Sequence, residues 1–361
     1  MSETLSNAIP SVDQQKLDQF VGQVVGDLAA GYAGVLIGIG DRLGLYKVMA
    51  NAGPLTSGQI AERSGCAERY VREWLNAQSA GGYVAYHPAS GTYELSAEQA
   101  MVLADDESPV FIPPAWQVPA SMWFDSEKSI DAFRTGKGVP WGDHDHRLYC
   151  GVAAFYRNAY RASLVPEWIP ALDGVEDRLR TGTTVADIGC GHGHSTIIMA
   201  EAFPNSSFRG FDTHAESIEA AQANAEAAGL ADRVSFEVSQ GGSASQEKFD
   251  LVCFFDCLHD MGDPVGAAKR AAGMLAKDGT VMLVEPFAAD RVEDNFNPVG
   301  RLYYAASTTL CCAHAISENG PMVLGAQAGE AQLADVFRQA GFRHFRCAAQ
   351  TPFNLILEAR L

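Results

Sequence analysis

The sequence predicts an α/β protein: a Rossmann-like, doubly wound parallel sheet that follows a smaller helical domain. Three observations carry this. Thr184 to Ile188 is a short apolar run that ends in Gly189, Gly191 and Gly193 and leads straight into a helical pattern from Ser195 to Phe203. A second strand pattern, Ser207 to Phe211, ends on Asp212, about twenty residues past the glycines, as a nucleotide-binding βαβ unit requires. Strand and helix patterns then alternate: a helix over 215–228, strands over 234–238, 249–255 and 280–284, and helical runs between them.

Composition bounds the class. The chain has 361 residues, 47% of them hydrophobic, enough for two or three domains with real cores. Its net charge of −18 opposes association with nucleic acid or an anionic membrane surface. Eight cysteines are scattered without C-x-x-C pairs, so neither a disulfide framework nor a zinc site is implied and no metal is expected. The first residues, MSETLSNAIPS, lack the basic start and apolar run of a signal peptide, which makes the cytoplasm the expected location. Phe20 to Gly40 is apolar, but Gln23, Asp27 and six glycines interrupt it; the expectation is two packed helices, not a membrane span.

In chain order, residues up to about 15 form a polar tail. Lys16 to Met49 is helical in period, with Leu17, Phe20, Val21, Val24, Val25 and Leu28 on one stripe and Val35, Leu36, Ile39, Leu43 and Leu45 on another. Such stripes exceed what a small domain covers by itself and predict a homodimer. From Thr56, a short helix to Ser64, a second over 67–80 and two β runs around a turn at 88–91 read as a winged helix. Its second helix carries Arg69, Tyr70, Arg72 and Asn76, which invites a DNA-binding reading. Residues 56–95 nevertheless hold three arginines, no lysine and four glutamates, so few phosphates could be neutralised. Val71, Trp74 and Leu75 read as packing residues, and dimerisation or substrate covering suits the module better.

Residues 108–173 fit neither domain. Pro109, Pro113, Pro114 and Pro119 break the start, and Trp116, Trp123, Phe124, Phe133, Trp141 and Tyr149 make the stretch aromatic. Arg147 to Pro170 reads as a helix with Phe155, Tyr156, Tyr160 and Trp168 along it. A lid over a pocket and a helical linker with an aromatic core both account for it. His144 and His146 lack a matching carboxylate set and read as hydrogen-bonded or solvated histidines. The expected division is 1–107 for the helical and winged-helix domain, 108–173 for the linker or lid, and 174–361 for the α/β domain.

The pattern Asp187-x-Gly189-x-Gly191-x-Gly193 lacks the G-x-G-x-x-G spacing of a dinucleotide site and the Lys-Ser/Thr pair of a triphosphate site. It resembles the first motif of class I S-adenosylmethionine (SAM) methyltransferases, whose ligand carries no phosphate. The whole chain is similar to bacterial methyltransferases with an N-terminal winged helix, some labelled transcriptional regulators, and to small-molecule O-methyltransferases of the same plan. The resemblance implies SAM as cofactor, bound through Asp187, Gly189, Gly191, Gly193 and Asp212, with Asp212 on the ribose and Asp256 facing the methionine amino group. It implies a closing antiparallel hairpin within 342–361. In the O-methyltransferases the fourth strand is followed by Leu-His-Asp with the histidine as general base, and Leu258-His259-Asp260 matches that triplet. Asp260 then orients His259 or caps a helix, and Glu285 is a second candidate base or a structural carboxylate. One departure stands out: Gln240-Gly241-Gly242 follows the third strand where the family often has an acidic residue near the adenine. An amide can still bond the adenine amino group, so Gln240 is the expected contact. The implied activity is methylation of a small aromatic or apolar metabolite, on oxygen first and on carbon or nitrogen otherwise. The competing reading is a SAM-responsive regulator that binds DNA.

Overall fold

The computed structural model describes residues 12–239 and 247–361. It contains two compact units, Met1–Trp116 and Gln117–Leu361.

The first unit contains α1 (Gln14–Arg42), α2 (Leu45–Met49), α3 (Ser57–Ser64), α4 (Glu68–Ala80), a wing of β1 (Ala85–His87) and β2 (Thr92–Glu94), and α5 (Ala97–Leu103). Sequence chemistry sets the helix starts. Thr56 with Gln59, and Ser96 with Gln99, form reciprocal capping boxes that satisfy otherwise orphaned backbone donors. The two packed helices expected within residues 20–40 are instead a single 29-residue helix. The glycines are isolated, so each costs only about 1 kcal/mol against alanine and none breaks the ladder. Two of them serve packing. A Cβ on Gly34 would lie 2.4 Å from the Trp116 ring, and one on Gly40 would lie 2.5 Å from Trp74. The Trp74 indole N–H also donates to the Leu36 carbonyl at 2.8 Å. Ile37, Tyr46, Met49, Ile60, Trp74 and Leu75 fill the core of this unit. Among the described residues nothing covers the opposite side of α1: Phe20, Val24, Leu28, Tyr32 and Val35 are all exposed. By length and composition α1 could also cross a membrane, with 11% of its most apolar window buried.

The second unit is built on a seven-stranded sheet, ordered β5-β4-β3-β6-β7-β9-β8. Its strands are β3 (Thr184–Ile188), β4 (Ser207–Asp212), β5 (Val234–Val238), β6 (Phe249–Phe255), β7 (Leu275–Pro286), β8 (His344–Gln350) and β9 (Asn354–Arg360). β3 to β7 run parallel, and β9 and β8 close the edge as an antiparallel hairpin. The chain winds outward from β3 to β5 and then returns to lay β6 on the other side of β3. This reversal opens a crevice at the C-terminal ends of β3 and β6, where ligands of such sheets bind. The helices of this unit are α6 (Gln117–Phe124), α7 (Ser126–Thr135), α8 (Arg147–Ser163), α9 (Val175–Thr181), α10 (His194–Ala202), α11 (Ala215–Ala227), α12 (Pro264–Met274), α13 (Pro298–Ala306), α14 (Cys312–Ser317) and α15 (Gly329–Gln339). Two apolar clusters flank the sheet, one around Trp168, Phe203 and Phe208 and the other around Phe254, Leu283 and Phe337. α8 stops earlier than the expected Arg147 to Pro170 helix and continues as a π-helical turn, Leu164–Trp168. Pro166 has no N–H for the α ladder, which accounts for the change of winding.

Candidate functional site

The glycine loop is shaped by its three glycines. Gly189, Gly191 and Gly193 have φ of +72°, +51° and +75°, the left-handed region that side chains disfavour. A Cβ on Gly189 would sit 2.7 Å from Cys257 Sγ, and one on Gly193 would sit 2.5 Å from the Phe236 ring. Gly191 faces open space instead, the one of the three where a ligand could approach the backbone.

Asp187 lies inside this loop, fully buried. Its Oδ2 accepts from the hydroxyls of Ser195 at 2.7 Å and Thr196 at 2.6 Å, tying β3 to the first turn of α10. Its Oδ1 is buried with no hydrogen-bond partner among the described residues. Burial pushes this carboxyl up to about 6, although the two hydroxyls pull the other way. Asp212 ends β4. Its Oδ2 accepts from Gly191 N at 2.9 Å and its Oδ1 from His214 N at 2.8 Å, so backbone donors fix the carboxylate beside the open glycine. His194, at the start of α10, is held down at about 4 by burial and by the nearby His192, Arg157 and Arg161, and is neutral at physiological pH. Gln240 lies outside the described residues.

Asp256 follows β6 with φ of +51°, a conformation a non-glycine residue adopts at a cost of about 1–3 kcal/mol. Two donors hold it there: the Tyr160 hydroxyl to Oδ2 at 2.9 Å and Asn354 Nδ2 to Oδ1 at 2.8 Å. Burial, reinforced by the neighbouring Glu285 charge, raises its carboxyl to about 8. A bound ammonium group would offset that burial and draw the proton off.

His259 sits in a single 3₁₀ turn, Leu258–Asp260, directly after β6. It is 3% exposed, and Glu285, at the end of the adjacent strand β7, is 2% exposed. The His259 Nδ1 is hydrogen-bonded to Glu285 Oε2, whose Oε1 accepts from Leu258 N at 3.0 Å. The other ring nitrogen, Nε2, lies 3.1 Å from Asp260 Oδ1, within ion-pair distance. Asp260 Oδ1 gains no aligned hydrogen bond from it. Burial disfavours the charged ring, yet Asp260 and Glu285 together override it and hold the imidazolium well above its ordinary range. α12 takes its N-cap from Asp263, whose side chain accepts from Gly266 N. Asp260 is therefore free of the capping role and faces the imidazole.

The structure thus brings the loop glycines, Asp187 and Asp212 to one side of the crevice and Asp256, His259, Asp260 and Glu285 to the other. Sequence reasoning missed Tyr160 and Asn354 as partners of Asp256. Tyr160 belongs to the aromatic run of α8, but no local signal tells which of its rings reaches Asp256. Asn354 arrives only through tertiary structure. Chemically, the arrangement offers a loop without cationic side chains, a fixed carboxylate for a diol, and an imidazole oriented by a buried carboxylate.

Comparison with known proteins finds the same two-part fold elsewhere. Residues 31–105 match a family described as the Rv2258c-like winged HTH domain, and residues 179–341 match a methyltransferase domain family. No curated protein matches the chain. Among solved structures it is similar to mitomycin 7-O-methyltransferase, at 19% identity over 97% of this chain and 100% of that one, with a TM-score of 0.67. An O-methyltransferase family protein from Burkholderia thailandensis is 18% identical over 97% and 98%, with a TM-score of 0.67. An O-methyltransferase from neocarzinostatin biosynthesis, solved with SAM and 2-hydroxy-5-methyl naphthoic acid, is 17% identical over 94% and 98%, with a TM-score of 0.59.

Proposed function

We propose that this chain, a class I SAM-dependent methyltransferase with an N-terminal winged-helix domain, methylates a hydroxyl group on a small aromatic metabolite. The observation that carries the oxygen assignment is the buried His259–Glu285 pair at the C-terminal end of the sheet. Methylation of carbon or an amine nitrogen has less use for an imidazole held in this way. The solved relatives of the same fold that act on mitomycin or were solved with a hydroxynaphthoic acid support an aromatic acceptor.

SAM fits the residues of the first half of the crevice. The approach over Gly191 is open, Asp212 is fixed beside it, and Asp187 Oδ1 is an acceptor still to be satisfied. SAM supplies a methyl group already activated on a positively charged sulfur. Alignment and exclusion of water then account for much of the acceleration. Asp212 would accept the ribose hydroxyls, and Asp256, held by Tyr160 and Asn354, would hold the methionine ammonium. His259 Nε2 takes the acceptor's proton while Glu285 keeps Nδ1 occupied, which fixes the ring's tautomer and direction. A sulfonium charge nearby would make the imidazolium less favourable, so His259 would lose its proton more readily beside it.

The test is a screen of phenolic acceptors with labelled SAM, read by mass spectrometry of the product. Asp212→Ala is expected to weaken SAM binding by about 1.5–3 kcal/mol, the scale for hydrogen bonds to a charged acceptor. Calorimetry that finds unchanged affinity removes the ribose assignment.

The exposed stripe of α1 supports a homodimer, in which a second copy covers Phe20, Val24, Leu28 and Tyr32. α1 also feeds its own unit's core through Ile37, so deleting it would unfold that unit. A Val24→Glu, Leu28→Glu double variant keeps the core and is expected to run as a monomer in light scattering. A dimer that survives both charges locates the contact elsewhere.

The regulator reading has less support. On α4, Arg69 pairs with Glu73 and Arg72 with Glu68, so the arginines that would meet phosphates are already neutralised on their own helix. Weak, salt-sensitive retention on heparin is the expected result. With a net charge of −18, a soluble cytoplasmic enzyme is the reading we adopt.

A further inference from the structure

We propose that His259, Asp260 and Cys311 form a zinc-binding site with one coordination position left open. One donor atom from each residue lies within 4.8 Å of the other two. A tetrahedral zinc ion with nitrogen, oxygen and sulfur ligands needs separations of about 3.3–3.7 Å, within reach of small side-chain rotations.

Three features independent of that spacing point to an ion. Asp260 Oδ1 is buried without a hydrogen-bond partner among the described residues, although it faces the imidazole. The Nδ1 of His259 is already engaged by Glu285, the carboxylate–histidine arrangement that orients metal-ligating imidazoles and leaves Nε2 for the ion. Cys311 is delivered by a π-helical turn, Ser307–Cys311, a rare winding concentrated at functional sites. The donor set of imidazole, carboxylate and thiol selects zinc over magnesium or calcium, which take oxygen ligands at higher coordination number. Three protein donors leave a fourth position for water or an acceptor oxygen, as in open zinc sites.

The ion would occupy Nε2, the atom assigned above to proton transfer. Zinc is therefore expected to inhibit methylation reversibly. That consequence alone rests on the general-base reading; binding itself does not.

The experiment is a cobalt(II) titration of the full chain after chelator treatment. A thiolate-to-cobalt charge-transfer band that saturates at one equivalent and is erased by zinc is expected. Cys311→Ser should lose the band, and Cys257→Ser, altering the neighbouring thiol, should keep it. No such band in the parent chain, or an unchanged band in Cys311→Ser, overturns the site. If Cys311→Ser does not fold by circular dichroism, Asp260→Asn takes its place. It should weaken zinc binding about 10–100-fold, and unaltered affinity in a folded variant overturns the proposal equally. An enzyme that shows the saturating band and still methylates at full rate would keep the site and remove His259 from the mechanism.

Discussion

Glu285→Ala is expected to destabilise the α/β unit by about 3–5 kcal/mol, the range for removing one partner of a buried ion pair. The side chain satisfies two buried donors at once: the ring Nδ1 of His259 and the backbone N–H of Leu258. His259 is 3% exposed and cannot turn to water for a replacement, so the loss includes the cost of an unsatisfied buried charge. Asp260 remains beside the ring and keeps the effect toward the low end of that range. For a unit of this size, 3–5 kcal/mol corresponds to a melting shift on the order of ten degrees. Glu285→Gln keeps an acceptor for Leu258 N and a polar contact with the ring, and about 1 kcal/mol is expected for it. Differential scanning calorimetry of both variants separates charge from shape. Equal losses would mean that the charge carries the whole effect, whereas a Glu285→Gln chain as stable as the parent would mean that the charge contributes nothing and that the ring is held neutral.

Much of this architecture is legible in the residues because local signals suffice for it. Alternation of apolar runs and helical patterns marks every parallel strand, and three glycines with an aspartate about twenty residues later mark the glycine loop and the strand tip beside it. The winged helix is legible from its turns and wing. The central strand β7 is longer than the pattern suggests, since Lys277, Asp278 and Gly279 do not look like strand residues. α1 misleads for a related reason. Six glycines in an apolar stretch look like breaks, and only the Trp74 and Trp116 rings against Gly40 and Gly34 explain why a continuous helix uses them. The side of the crevice that carries His259 is half legible. His259 and Asp260 come from a contiguous triplet. Glu285's hold on the ring depends on the β6–β7 register, where Phe255 pairs with Val284, the residue before Glu285. Asn354 and Tyr160 reach Asp256 across about a hundred residues of sequence, a distance over which no periodicity speaks.

His259→Ala is expected to lower the methylation rate about 10²–10⁴-fold, the usual worth of a positioned proton transfer, with SAM affinity nearly intact. The second half follows from geometry. Asp212 accepts from Gly191 N and from His214 N, and neither hydrogen bond involves His259. The size of the first half depends on the acceptor. A phenol ionises without help at about pH 10, so part of the lost rate should return in the variant as pH rises. An aliphatic hydroxyl would show no such recovery in the accessible range. An electron-rich carbon acceptor would lose little at any pH, because alignment alone could carry the reaction. The pH profile of the variant therefore separates three acceptor chemistries that the size of the drop does not. The comparison needs a folding control, since the substitution leaves Glu285 buried and unpaired. His259→Gln, which can still donate toward Glu285, should regain stability and none of the rate. A His259→Gln enzyme at full rate would mean that the imidazole orients its neighbours and takes no proton.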